Sequence, residues 1–297
     1  MTSPDPVLTK ADGRSAVVVE RRYPHPMDRV WRAVTDPEHL ALWFPGAPEF
    51  ELRAGGAVRF PDFAGTPAEL GTVLECEAPC RLRFSWDTDE LLFELAEEVD
   101  GTRFVLTHVF DDHGGAASFA TGWEACLEGL RSVIDGSEVS DPGPRRDRHE
   151  ELAHRFELGR ASVLETADGW SARFERQLVC PARTAWELFV GGGVEGLDGP
   201  PVLVSGEEFH APQAPEVVLG YLTEVDPPTL LAFDTAPGEP GDHVRLDLVD
   251  GTGHGARMLL TVRGKDPTEK DAALDQWGPG AVESIARAAL EAATTGR

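Results

Sequence analysis

The chain of 297 residues is poor in lysine, cysteine, methionine and tyrosine. Lys10, Lys265 and Lys270 are its lysines, and 27 Lys+Arg against 52 Asp+Glu leave a formal charge of −25. A field of that sign repels phosphate backbones and anionic bilayers, so neither a nucleic acid nor a membrane is an expected partner. No stretch approaches the ~20 apolar residues of a membrane span, and the opening MTSPDPVLTKADGRS has no apolar h-region, so a cytoplasmic location is expected. Cys76, Cys80, Cys126 and Cys180 are too scattered for a disulfide framework and sit in apolar periodic segments, as buried thiols do.

Motifs for common chemistries are missing as well. There is no nucleophile elbow, P-loop or dinucleotide-binding glycine fingerprint, and VGGGVEGLDG lacks the Lys-Ser/Thr ending that cradles phosphate, so no cofactor is expected. Cys76 and Cys80 have finger-like spacing but no second pair nearby. His149 and His154, five apart, do not share a helical face. His108, Asp111, Asp112 and His113 crowd a strand end that reads as a solvated loop, so no metal site is expected either. Adjacent acids such as Glu97-Glu98 read as solvating charge.

What the chain does have is repetition. ERRYPHPMDRVW (Glu20 to Trp31) and ERQLVCPARTAW (Glu175 to Trp186) share Glu-Arg, Pro and Trp at identical spacing. GTVLECEAPCRLRF from Gly71 matches GYLTEVDPPTLLAF from Gly220, GTRFVLT from Gly101 matches GARMLLT from Gly255, and Trp123 corresponds to Trp277. A duplicated domain explains the constant order. The expected layout is a first domain over 14–138, a charged linker with a short helix over 139–162, in which Leu152 and Phe156 could dock, and a second domain over 163–297.

In the first copy SAVVVERRY reads as a strand. Pro26 opens a helix carrying Val30, Trp31 and Val34, and Thr35 or Asp36 caps a second one with Pro37 in its first turn. Strands follow in GGAVRF, GTVLECE, RLRFSW, LLFELAEEV and TRFVLTHVF. Their alternation sends Val58, Phe60, Leu74, Cys76, Leu82, Phe84, Trp86, Phe104, Leu106, His108 and Phe110 to one face. The segment SFATGWEACLEGLRSVIDG then spaces Phe119, Trp123, Cys126, Leu127, Leu130 and Ile134 as a helical stripe, with Gly136 as its stop.

These elements in this order make an α+β fold. VWRAVTDPEHLALWF, RAGGAVRF, RLRFSWD, GTRFVLTH and GWEACLEGLRSVI resemble the Hsp90-ATPase-activator-homologue-1-like branch of the START-like (SRPBCC, Bet v 1, helix-grip) superfamily. The resemblance spans roughly Ser15 to Gly136. It implies two tandem helix-grip domains, each a curved antiparallel sheet wrapped round a long C-terminal helix with two short helices near its start. It also implies a cavity for a small apolar or aromatic ligand, lined by Trp43, Phe60, Leu74, Phe84, Trp86, Phe104, Leu106, His108, Trp123 and Leu127. A histidine on such a face is more often a hydrogen-bonded wall residue than a catalyst, and burial, which disfavours its charged form, leaves it neutral as a donor or acceptor for a ligand.

Two other functions travel with the resemblance. Relatives include polyketide aromatase/cyclases, which need inward Arg, Tyr or Asn; here Arg59, Arg81, Arg83 and Arg103 alternate outward, so no catalytic residue is assigned. The family name also points to a chaperone ATPase, a partner not expected for this chain. In the second copy VGGGVEGLDGPP replaces the capped helix, and Gly278-Pro279-Gly280 interrupts the last helix, so that copy is expected to serve mainly as scaffold. Val105 and Val109 make the reverse face of their strand apolar, which calls for cover by domain-domain packing or a homodimer.

Overall fold

The computed structural model describes residues 4–60, 70–191, 201–253 and 255–295. The chain divides into two compact units, Met1–Arg145 and Arg146–Arg297. Each unit has its own antiparallel sheet.

The first unit opens with a hairpin of β1 (Val7–Ala11) and β2 (Arg14–Tyr23). Asp12 and Gly13 form its two-residue turn, both at positive φ (51° and 84°), as a tight hairpin matching the strand twist requires. Helix α1 (Met27–Thr35) follows, then α2 (Pro37–Trp43), which is capped by the Asp36 carboxylate accepting from the Glu38 amide at 3.0 Å. Strands β3 (Glu49–Phe50), β4 (Ala57–Arg59), β5 (Leu70–Glu77), β6 (Arg81–Trp86), β7 (Asp89–Glu98) and β8 (Gly101–Phe110) complete an eight-stranded sheet in the order β1-β2-β8-β7-β6-β5-β4-β3. Helix α3 (Ala116–Asp135) lies along the inner face and stops at Gly136, which takes the left-handed conformation (φ 73°).

The inner face is filled by rings. Phe84, Phe93 and Phe104 are fully buried, with centroids 5.4 and 5.5 Å apart in succession. Phe44 reaches Phe93 at 6.2 Å and Trp123 at 5.4 Å, and the Trp43 indole donates to the Ala33 carbonyl at 2.9 Å. The outer face carries ion pairs, among them Arg103 to Glu20 and Arg83 to Glu90, both at 2.6 Å. Val105 is buried on that face between its cross-strand partners Glu20 and Glu94, whereas Val109 is half-buried.

One strand departs from simple alternation. A β-bulge falls between Val73 and Glu75 in the β5–β6 pairing, so two consecutive residues point away from the core. Val73 is therefore the buried residue and Leu74 is 39% exposed. The expectation that Leu74 lines the interior is corrected on that ground.

The second unit begins with α4 (Arg146–Arg155), which buries Leu152 and Ala153 but leaves Phe156 half-buried. Its sheet comprises β9 (Ser162–Thr166), β10 (Gly169–Gln177), β11 (Glu208–Ala211), β12 (Ala214–Asp226), β13 (Leu230–Thr235), β14 (His243–Asp250) and β15 (Ala256–Gly264), ordered β11-β12-β13-β14-β15-β10-β9. Helix α5 (Ala182–Val190) follows β10. The expected loss of a second capped helix falls largely on residues 192–200, outside the described residues. The closing helix is broken into α6 (Lys270–Trp277), a π-helical turn (Gly278–Val282) and α7 (Glu283–Thr295). Pro279 has no amide proton to donate, which is why the ladder gives way there.

The repeat reaches further back than ERRYPHP suggests. VLTKADGRSA on β1–β2 matches VLETADGWSA on β9–β10, so each sheet has the same hairpin at one edge. The Glu-Arg pair has a structural meaning in both copies. Glu20 faces outward to Arg103 and Glu175 to Arg257 at 3.0 Å, while the next arginine points inward to the last helix. Arg21 sits 3.7 Å from Glu124, and Arg176 sits 2.5 Å from Glu150 and 3.4 Å from Glu283.

Candidate functional site

Between the β6–β7 turn and α3 the rings of the first unit leave a hollow. Trp86 ends β6 and pairs with Asp89 at the start of β7; Asp87 and Thr88 make the turn, with Asp87 at φ 53°. Facing this turn, α3 presents Ser118, Phe119, Gly122, Trp123 and Cys126, residues on neighbouring turns of one side of the helix. A side-chain carbon added at Gly122 would meet no atom within 4 Å, so the missing side chain leaves real space. With Pro45 and His108 these residues bound a half-open pocket of about 440 Å³.

His108 is the polar centre of that pocket and is 4% exposed. The Trp123 indole N–H donates to its Nδ1 at 3.1 Å, and its Nε2 lies 2.9 Å from Asp89 Oδ2. An indole can only donate, so Nδ1 must carry a lone pair and the proton must sit on Nε2, directed at the carboxylate. Asp89 is steadied in turn by Arg14 at 3.6 Å. Arg14 also pairs with Asp111 at 2.7 Å and donates to the Thr88 carbonyl at 2.8 Å. The Phe119 ring packs edge-on against the imidazole at 4.7 Å.

This wiring limits the chemistry. A general acid or base needs a nitrogen within reach of the substrate, and both nitrogens of His108 are held by protein groups. The Cys126 thiol beside it is pushed up to about 11 by burial, which suppresses the thiolate a nucleophile requires.

Of the residues expected to line a ligand cavity, Trp86, His108 and Trp123 meet at this pocket. Phe84, Phe104, Leu106 and Leu127 are buried core; Trp43 is anchored to Ala33, and the buried Phe60 is stacked on Trp86 at 4.9 Å. Rings pack the space around Phe84, Phe93 and Phe104, and open space lies at the end where β6–β7 meets α3. Pro45, Asp87, Thr88, Asp89, Ser118, Phe119, Gly122 and Cys126 were not singled out as pocket residues. Their signal was present in the helical spacing of Ser118, Gly122 and Cys126 and in the short WDTDE turn, but strand alternation points only to residues within strands.

The second unit is not solid. A pocket of about 510 Å³ opens where the closing helix breaks, bounded by Leu158, Phe174, Leu274, Gly278, Pro279 and Glu283, among others. The helix break that interrupts the closing helix at Gly278 and Pro279 also makes room. Its wall has one aromatic ring, Phe174, where the first pocket has Trp86, Phe119 and Trp123.

A curved antiparallel sheet closed by a long C-terminal helix places the first unit among the START-like helix-grip domains. Residues 24–135, within the first unit, match the model of the family described as Activator of Hsp90 ATPase homolog 1-like protein. Among solved structures the chain is similar to CalU16 from Micromonospora echinospora (29% identity, covering 51% of this chain and 97% of that one, TM-score 0.42). It is also similar to a conserved protein of unknown function from Enterococcus faecalis (21%, 51% and 90%, TM-score 0.45). An AHSA1-like protein from Aeromonas hydrophila matches at 22%, over 41% and 92%, with a TM-score of 0.35. No curated protein matches. No helix among the described residues is long and apolar enough to cross a membrane.

Proposed function

We propose that the first domain is a binding module for a small, flat, largely apolar molecule. The observation that carries this reading is the half-open pocket of about 440 Å³ between the β6–β7 turn and α3, walled by Trp86, Phe119 and Trp123. Its volume falls in the range of small-molecule sites, and its composition, apolar walls with a few fixed polar groups, is the usual one for them. The Trp123–His108–Asp89 chain holds those walls in place. Because it engages both imidazole nitrogens, a cyclase-type reaction is the weaker reading.

Titration with 1-aminoanthracene, a neutral aromatic probe at pH 7, is expected to quench tryptophan emission saturably as probe emission rises. Trp86→Ala is expected to abolish the effect. So is Gly122→Leu, which fills the space beside Trp123 without touching the core; circular dichroism confirms that each variant is folded. Unsaturable quenching, or quenching unchanged in Gly122→Leu, would remove the pocket from consideration.

A further inference from the structure

Resting on that reading, we infer that the pocket selects aromatic ligands carrying a protonated amine and rejects those carrying a carboxylate. Its lining holds two carboxylates, Asp87 and Asp89, and no lysine or arginine. Asp89 is engaged by His108 and Arg14, but the Asp87 side chain has no hydrogen-bond or ionic partner among the described residues and lies exposed at the mouth. Arg14 does not reverse the sign, since it is shared with Asp89, Glu90 and Asp111 at 3.6, 3.8 and 2.7 Å.

Two further effects act on charge at this place. The faces of Trp86, Phe119 and Trp123 carry the negative side of the ring quadrupole, which attracts a cation and repels an anion. Opposing this is α3, whose first turns flank the pocket and whose dipole brings about half a positive charge to its start. Two full carboxylates outweigh half a charge, and the remaining field of the −25 chain has their sign. His108 adds no positive charge while Trp123 donates to it, because its single proton is committed to Asp89. The ligand then lies with its rings between Trp86 and Phe119 and its ammonium at the mouth beside Asp87.

Three probes of one shape separate the possibilities: 2-(2-naphthyl)ethylamine, 2-(2-naphthyl)ethanol and 2-naphthylacetate, titrated calorimetrically into the full chain at pH 7 in low and moderate salt. The amine is expected to bind at least about tenfold more tightly than the acid, with the alcohol between them and the spread narrowing as salt rises. Asp87→Asn is expected to reduce the amine's advantage over the alcohol about threefold while leaving the alcohol's affinity unchanged. Gly122→Leu should abolish binding of all three, which separates the pocket from diffuse attraction to an acidic surface. Equal binding of the three, or preference for the acid, overturns the charge selection and leaves the pocket reading standing. Amine binding that survives Gly122→Leu overturns the assignment to this site. No binding of any probe to the unaltered chain overturns both readings.

Discussion

Trp123 and Trp277 occupy the same place in the two repeats, each buried in a closing helix, but they do different things there. The Trp123 indole donates to His108; at the matching position of GARMLLTV stands Val262, and the Trp277 indole nitrogen, 4% exposed as a residue, has no hydrogen-bond partner among the described residues. Other pairings survive in both copies: Glu20–Arg103 beside Glu175–Arg257 across the outer face, and Arg21–Glu124 beside Arg176–Glu283 between sheet and helix. The comparison separates two kinds of polar interaction. Those at the sheet–helix seam recur because any helix-grip domain must hold its helix, whereas the Trp-His-Asp chain occurs where a pocket is furnished. The continuous α3 and the broken α6–α7 tell the same story from the backbone, since the two pockets lie at different places on their helices.

The seam arginines offer the largest test of this comparison. Arg176 is fully buried with two carboxylates, whereas among the described residues Arg21 has one carboxylate, Glu124 at the longer 3.7 Å, and also donates to the Glu20 carbonyl at 2.8 Å. Replacing Arg176 by Leu leaves the half-buried Glu150 without its arginine and is expected to cost about 3 kcal/mol, with Arg21→Leu costing about 1 kcal/mol, both read by urea denaturation. Equal costs would mean that the two seams are equivalent. A smaller effect is expected at the tryptophans. Trp123→Phe loses a hydrogen bond and leaves His108 Nδ1 unpaired, whereas Trp277→Phe removes an unpaired donor, so the first should cost about 1 kcal/mol more than the second. The reverse order would mean that Trp277 has found an acceptor in solution.

A further effect is one the two units share. Burial pushes the Cys126 and Cys180 thiols from about 9 up to about 11, with the Glu150 carboxylate adding to the shift at Cys180. The folded chain therefore keeps protons that the unfolded chain releases, and the resulting stability is present below about pH 9 and lost as pH rises through about 11. Urea midpoints between pH 8 and 11 should fall, and Cys126→Ala and Cys180→Ala should each flatten part of that fall.

Much of the first domain was readable from the chain because its elements carry local signals. Asp36 and Pro37 announce α2, Gly136 ends α3, and the alternation of Phe104, Leu106 and His108 fixes which side of β8 is buried. Leu74 defeated that reasoning because a bulge is a property of two strands in register and leaves no mark on one strand's pattern. The pocket was legible only in part. Trp86, His108 and Trp123 stand out by residue type, but Asp87, Ser118 and Gly122 matter through what lies opposite them.

By itself the sequence determined that the chain is duplicated, acidic and of α+β make-up, because repetition, charge and periodicity are properties of residue order. Only the tertiary structure decided where empty space remains, since that depends on how Phe44, Phe84, Phe93 and Phe104 interlock. It also decided that the His108 proton faces Asp89, because the donor that fixes the tautomer, Trp123, comes from another element and meets the ring only when helix and sheet close on each other.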